Sequence, residues 1–581
     1  MGQYASDVLK VNWMIRPAFP LVTAALVLSL AVALASGAIP VADTIIARGR
    51  VYTGNSAQPW AEAVAVRDGK IIAVGDEQTI SKLRSAATTV IEAGGHLVLP
   101  GFVDCHVHFF RGSLSLGRVR LDGARNYSDI QQVLRDYAAK HPGKDWVLGR
   151  GWNYAMFGSE NLPDKKYLDE IFPDRPVLLT GFDGHTYWAN SKALALAGIT
   201  NSTPDPINGV IVRDPKTHEA TGALKEAAHG LVDRVVPEPS RDESLAALRA
   251  GIKWANEHGL TRVHSAGGDF EHLDLHDELR KQGQLTLRFY IAYFLNPPEL
   301  RAQDVVAISA ARKKYQDDWI DTNAVKMMVD GVIESHTAAM LEPYSDDPST
   351  KGKLFWEPAK YTAAVTELDR TGLQIFTHAI GDYGVRTALD AYEHAEQVNH
   401  TQDRRPRIEH IETVNADDIP RFGKLGVIAS MQPLHAYPDA DTLDVWARNA
   451  GPDRASRAWV WKSISNAGGH LAFGSDWPVV TLDPWEGIQT AVTRQTTEGK
   501  PDGGFVPAQR LTVEETVRGY TLVAAFAGRR EKTEGSIEPG KLADLIIVSQ
   551  NIFDIDPHRI AETKVLTTMV GGRVVYQAAT K

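Results

Sequence analysis

The chain has 581 residues, 43% hydrophobic and 23% charged, which is the balance of a globular protein and excludes a disordered or fibrous one. Its 62 Lys and Arg against 72 Asp and Glu leave a net charge of −10, so there is no cationic surplus to neutralise a polyphosphate and nucleic-acid binding is not expected. The single cysteine, Cys105, forbids an intrachain disulfide and any Cys-rich zinc or iron–sulfur site; a bound metal must be held by histidine and carboxylate.

In chain order, Phe19 to Ala35 (FPLVTAALVLSLAVALA) is uncharged, follows Lys10 and Arg16, and ends in small residues through Ala38. That pattern reads as a secretory signal over 1–38, cleaved near Ala35 or Ala38, with an uncleaved anchor as the alternative. Export to a periplasm is the expectation, with no membrane contact beyond this segment. Thr44–Ala47, Ala63–Val66 and Lys70–Val74 follow as β-rich runs, the last two joined by Asp68-Gly69 as a hairpin. The far end repeats the style in Ala543–Val548 and in Leu566–Val570 and Arg573–Tyr576, joined by Gly571-Gly572. Residues 39–95 and 536–581 are therefore read as two parts of one small β-sandwich.

Between them, strand-like runs alternate with helix-period stretches. The runs are Leu97–His108, Thr261–His264, Ala324–Val329, Gln374–His378, Arg407–His410, Val427–Ser430 and His470–Gly474, and Tyr361–Thr371 and Val385–Glu396 have the helical period. This alternation predicts an α/β fold, a (β/α)8 TIM-like barrel over 96–535, with about 111–249 as an aromatic-rich insertion.

The run ending in His106-Val107-His108 puts two imidazoles on one side of a strand at a two-residue period, a metal clamp. Lys326, His378, His410 and Asp476 lie in or near the carboxyl ends of other runs, and in a barrel those ends converge on one mouth. Taken singly, each has a bland alternative as a core histidine or a strand-end charge.

The motifs LPGFVDCHVH (99–108), KMMVDG (326–331), HAIGD (378–382), RIEH (407–410), SMQP (430–433), FGSDWP (473–478) and EPGKLAD (538–544) together resemble the metal-dependent amidohydrolase superfamily, in its N-substituted formamide deformylase-like branch, from about Asp43 to Tyr576. The resemblance implies metal ligands His106 and His108 on the first barrel strand, Lys326 on the fourth, His378 on the fifth, His410 on the sixth and Asp476 on the eighth. It implies one or two divalent ions, with zinc favoured by N/O ligation, and Lys326 carboxylated where two ions are held. A one-ion site on His106, His108, His378 or His410, and Asp476 stays open. Asp476 is expected to be ligand and base, and His185, in TGFDGHTYWAN (180–190), to contact the carbonyl or substrate. Trp152, Asn153, Tyr187, Gln432 and Trp477 are expected to line the pocket. Asp330 and Asp382 are expected to orient ligands or loops, Asp104 to brace its strand, Cys105 to face away and His264 to make a structural hydrogen bond. His336 stands where relatives carry Arg, which weakens any anion-binding role there.

The expected activity is hydrolysis of a non-peptide C–N bond (amide, N-formyl or cyclic amide) in a small molecule by metal-activated hydroxide. Deamination and ester or lactone hydrolysis on the same fold are the first alternatives, and an exported non-catalytic metal- or solute-binding protein is the second. The sequence leaves homo-oligomerisation open.

Overall fold

Eight parallel strands run in one sheet in chain order: β1 (Phe102–Val107), β2 (Leu260–Ser265), β3 (Arg288–Phe294), β4 (Ile320–Met328), β5 (Gln374–Ala379), β6 (Arg407–His410), β7 (Ile428–Met431) and β8 (His470–Phe473). The computed structural model describes residues 41–143, 145–160 and 162–579; the predicted signal segment lies outside them. Just past β8, Trp477 bridges to Val107, the Asp476 N–H donates to the His106 carbonyl at 2.6 Å and the His108 N–H to the Trp477 carbonyl at 2.7 Å, which closes the sheet into a barrel. Gly474 permits that approach, since a Cβ there would sit 2.5 Å from the His106 nitrogen. Among the described residues no helix is long and apolar enough to cross a membrane.

Strand alternation sorts side chains between the barrel interior and the helical shell. In β1, Cys105 joins Val103, Ile428 and Ala472 in an apolar cluster. In β4, Met327 joins the main core while Lys326 and Met328 line the mouth. The helices form where apolar periodicity meets a cap. Arg241–Glu257 starts from the Ser240/Glu243 capping box and buries Leu245, Leu248, Ile252 and Ala255. That helix packs beside β2 as the barrel's first helix, so the insertion ends before it rather than at 249.

The run Leu97–His108 is two strands, not one. Leu97–Pro100 pairs with Leu545–Val548 in the end sheet, and the chain enters the barrel only at Phe102. At the junction a Cβ on Gly101 would lie 2.2 Å from the Thr261 side chain. β3 (RFYIAYF) is absent from the runs read in sequence, because its carboxyl end carries Phe294 and no ligand-type residue. The sheet of Thr44–Ala47, Ala63–Arg67, Lys70–Gly75 and Thr89–Glu92 faces a second sheet that combines Arg50–Tyr52, Trp60–Ala61 and Leu97–Pro100 with three C-terminal strands. The two share a core of Ile46, Val64, Val98, Leu545 and Met569.

The insertion is a six-stranded sheet, with Val147–Trp152, Val177–Gly181 and Thr186–Ala189 at its centre. One face carries Val147, Trp152, Val177, Leu179 and Trp188 into a dry core. The other presents Leu148, Arg150, Leu178, Thr180 and Tyr187 to a cavity over the barrel mouth. Trp152 is thus core rather than pocket: it is fully buried and its Nε1–H donates to the Leu179 carbonyl at 3.2 Å.

Candidate active site

Alternation along β1 turns His106 and His108 inward, and neighbours fix each ring. His106 Nδ1 lies 2.6 Å from Glu409 Oε2, which leaves Nε2 facing Lys326 Nζ at 3.2 Å and Asp476 Oδ1 at 3.5 Å. His108 Nδ1 lies 3.3 Å from the Gly267 carbonyl, and its Nε2 sits 3.2 Å from Asp476 Oδ1. His378 Nε2 meets the Gly331 carbonyl at 3.2 Å, and its ring centre is 4.5 Å from that of His410. His410 Nδ1 is held by Gln432 Oε1 at 2.9 Å. Such outer contacts fix which nitrogen is free to ligate. Gln432, expected in the pocket lining, is fully buried behind His410 and positions it.

Two ring-forming residues leave the extended conformation to reach the centre. Glu409 and His410 are consecutive, and in a regular strand they would point to opposite faces; His410 adopts φ 75° and both face inward. Asp476 adopts φ 61°. Left-handed backbone at non-glycine residues costs of order 1–3 kcal/mol and clusters at functional sites.

Behind β1 a buried network holds the frame. Arg407 donates to both Glu409 oxygens (2.9 and 3.1 Å), to the Cys105 carbonyl (2.6 Å) and to Ser430 Oγ (2.8 Å), and lies 3.0 Å from His264 Nδ1. Burial would raise the Glu409 carboxyl, but Arg407 and His106 hold it down to about 2. Asp104 accepts from the His106 and Ser475 N–H groups and from Ser475 Oγ at 2.5 Å, tying β1 to the segment that carries Asp476. Asp330 accepts three backbone N–H groups, from Ala339, Ile380 and Gly381, and Asp382 accepts one from Leu341. Both fasten loops, and Asp330 Oδ1 also lies 3.8 Å from His378 Nε2. His336 pairs with Asp346 at 3.0 Å, away from the mouth.

Desolvation dominates the electrostatics. Burial, and then the nearby Lys326, push the His106 imidazolium down to about 4, and burial lowers the Lys326 ammonium to about 8. Asp476 is buried, which alone would raise its carboxyl, yet the surrounding histidines hold it well below the usual range. Its Oδ1 accepts no hydrogen bond. A buried anionic oxygen without donors is costly unless a cation meets it. The ligand atoms of His106, His108 and Asp476 lie within 4.8 Å of one another, as do those of His410, His435 and Asp476. Imidazole and carboxylate donors around an orphaned oxygen fit a divalent ion.

His435 escaped the sequence reading. It sits three residues beyond the Gln432 that follows β7, its ring parallel to His410 at 5.6 Å and its Nε2 3.7 Å from Asp476 Oδ2. The criterion used for the others, a ligand-type side chain just past a barrel strand, would have found it. Glu226 was also missed. Its Oε2 lies 2.8 Å from His185 Nδ1 and its Oε1 accepts from Thr337 Oγ1 at 2.6 Å, on a backbone strained to φ 50°. Burial would lower His185, but Glu226 and then Asp183 raise its pKa to about 9.

Two cavities, of about 660 and 320 Å³, meet at Asp183, His185, His378, His410 and Asp476. Tyr187 lines the larger, where its hydroxyl accepts from Arg111 Nη1 at 3.2 Å, and Asn153 lines the smaller. Trp477, expected in the lining, is buried instead, its ring filling the space over Gly112 and packing on Phe109 at 5.5 Å.

The family model for the amidohydrolase family matches residues 89–576. The chain belongs to the amidohydrolase family. This amidohydrolase is 34% identical over 551 residues to the protein LONG AFTER FAR-RED 3 of Arabidopsis thaliana, covering 92% of each chain. It is 26% identical over 546 residues to the N-substituted formamide deformylase of Arthrobacter pascens, covering 92% of this chain and 98% of that one. Its fold is that of an uncharacterized metal-dependent hydrolase from Pyrococcus horikoshii, with a TM-score of 0.69 at 24% identity over 88% of this chain and 99% of the other.

Proposed function

We propose that this amidohydrolase cleaves a non-peptide C–N bond, an amide, N-formyl or cyclic amide, in a small molecule, with one or two divalent ions, zinc by preference. The observation that carries the proposal is the gathering of His108, Lys326, His378, His410 and Asp476 along the larger cavity, with His106 buried behind them 3.5 Å from an Asp476 oxygen that accepts no hydrogen bond. When bound, a divalent ion brings the pKa of water to about 7 and polarises a carbonyl. Asp476 takes the proton released as water attacks the carbonyl carbon and hands it to the departing nitrogen. His185, kept protonated by Glu226, donates from Nε2 to the carbonyl oxygen as charge develops there. Lys326, eased toward its neutral form by burial, is the residue suited to carboxylation where two ions are held. Leu148, Leu178, Tyr187 and Phe355 give the larger cavity an apolar wall that suits an apolar or aromatic acyl group.

The test is hydrolysis, by metal-loaded protein, of a panel of N-formyl, N-acyl and cyclic amides with esters and aminopurines as competitors. Amide turnover that depends on metal is expected, with Asp476→Asn lowering kcat by about 10²–10⁴. Metal bound with nothing hydrolysed would favour the binding-protein alternative. We also propose export by the 1–38 segment with cleavage near Ala35 or Ala38; N-terminal sequencing of the mature protein that finds Met1, Gly2 or Met14 intact defeats the cleavage and leaves the uncleaved anchor.

A further inference from the structure

The two lobes that meet at the centre differ in charge. The smaller, of about 320 Å³, is walled by carboxylates from four separate elements: Asp183 from a turn of the inserted sheet, Glu334 from the segment after β4, Glu412 just beyond β6 and Asp441 beyond β7. Three of them have local partners. Asp183 accepts from Tyr154 OH at 2.6 Å, Glu412 from Trp446 Nε1 at 2.7 Å, and Asp441 Oδ1 from the Ala155 N–H at 3.2 Å. None of those partners is cationic. Asp441 is 4% exposed, and its second oxygen, Oδ2, has no hydrogen-bond partner.

The positive groups that reach this lobe are few. Among the described residues its one lining guanidinium, Arg120, is held by Asp122 at 2.5 Å, and His185 is held by Glu226. His410 and His435 form a candidate metal group with Asp476, His378 packs on His410 with ring centres 4.5 Å apart, His435 lies 3.7 Å from both Glu412 Oε1 and Asp476 Oδ2, and among the described residues no lysine lines the lobe. Burial, then Glu412 and Asp441, push Glu334 well above the usual carboxylate range, and burial, then the neighbouring Asp439, push Asp441 to about 8. Carboxyl groups crowded into a desolvated lobe hold their protons rather than stand charged, and a cationic ligand seated among them would favour their ionised form.

We propose that this lobe is the subsite for a positively charged arm of the substrate, an ammonium or guanidinium, recognised by Asp441, Glu334 and Glu412. The assignment rests on the hydrolase reading above and narrows its substrate to amides that carry a cation on one side of the scissile bond. The lobe opens onto His378, His410 and Asp476, so a group seated in it can be covalently close to the reacting carbonyl while the remainder lies against the Tyr187 wall. Its volume also argues for an organic arm over a bare ion. At ~30 Å³ per water the lobe has room for about ten waters, so it can hold an organic arm together with solvent, well beyond the space a bare ion needs.

Calorimetric binding to the metal-loaded protein tests this, with benzylammonium and benzyl alcohol as a charged and a neutral probe of similar size. The cation is expected to bind at least tenfold more tightly, and Asp441→Asn and Glu334→Gln each to remove most of that preference while leaving the alcohol's affinity unchanged. Both substitutions relieve repulsion, so melting temperatures no lower than that of the parent protein are expected and verify the fold. Equal binding of the two probes, or a preference untouched by both variants, overturns the proposal. The amide panel is read separately. A cation preference in a protein that hydrolyses no amide would support the lobe and sink the hydrolase reading, whereas turnover of neutral amides with no cation preference in binding would sink the lobe alone.

Discussion

His106 Nδ1 and Glu409 Oε2 lie 2.6 Å apart, both side chains fully buried, with Arg407 donating to both oxygens of the same carboxylate. The pair decides which face of His106 is free: with Nδ1 committed, the remaining lone pair is on Nε2, toward Lys326 and Asp476. Glu409→Gln keeps the shape and removes the charge. Metal affinity, read by chelator competition, should then fall about 10–100-fold. The unpaired Arg407 should lower stability as well, by about 3–5 kcal/mol, the cost of breaking a buried pair. An unchanged metal affinity would show that Glu409 does not position the ring.

The His185–Glu226 pair predicts a pH dependence. With a folded pKa of about 9 against an ordinary histidine value of 6.5, the imidazolium's contribution to stability is complete below pH 6.5 and is lost as pH rises through about 9. Activity that needs the protonated ring should fail over the same interval. Glu226→Gln removes the charge that raises the pKa, so the alkaline limb of the kcat/KM profile should move down from about 9 toward 6.5. If the limb stays where it was, His185 is not the proton donor to the carbonyl.

The barrel and its candidate ligand residues were legible because each candidate is a ligand-type side chain in or near the carboxyl end of an apolar run, and a closed barrel brings those ends to one mouth. Residues held by loops were harder to see. Glu226 belongs to the site only because an inserted strand ends beside His185, and His435 lies on a short turn after β7. The boundary at Gly101 was hidden for a related reason. Leu97–Val107 reads as one apolar strand, and only the tertiary partners, Leu545–Val548 for its first half and β2 for its second, divide it.

Arg288 on β3 donates to both oxygens of Asp544 at 2.7 and 3.1 Å, a buried pair that joins the barrel to the end sheet. Asp544 also accepts the Gly571 N–H at 2.6 Å in the C-terminal hairpin. Asp544→Ala strips a buried guanidinium of its counter-charge, and a loss of about 3–5 kcal/mol is expected in denaturant unfolding. The double variant Arg288→Met/Asp544→Leu should recover much of it, since an apolar pair of similar volume is often neutral. If the double variant is as unstable as the single, the Gly571 contact, not the ion pair, is what matters.

Trp152 and Tyr187 make the opposite assignments of the inserted sheet's two faces testable. Trp152 packs with Trp188 and Phe157 on the dry face, so Trp152→Ala should cost about 3–5 kcal/mol of stability while the folded enzyme keeps its KM. Tyr187 faces the cavity and holds Arg111 at 3.2 Å. Tyr187→Phe preserves the packing and deletes one hydrogen bond, worth ~1 kcal/mol, so KM for a substrate reaching that wall should rise about fivefold with melting temperature little changed. The two effects should not mix, because β-sheet alternation keeps the faces apart. A KM change in Trp152→Ala, or unchanged KM in Tyr187→Phe for every substrate turned over, would mean that the roof of the cavity is built by the other face.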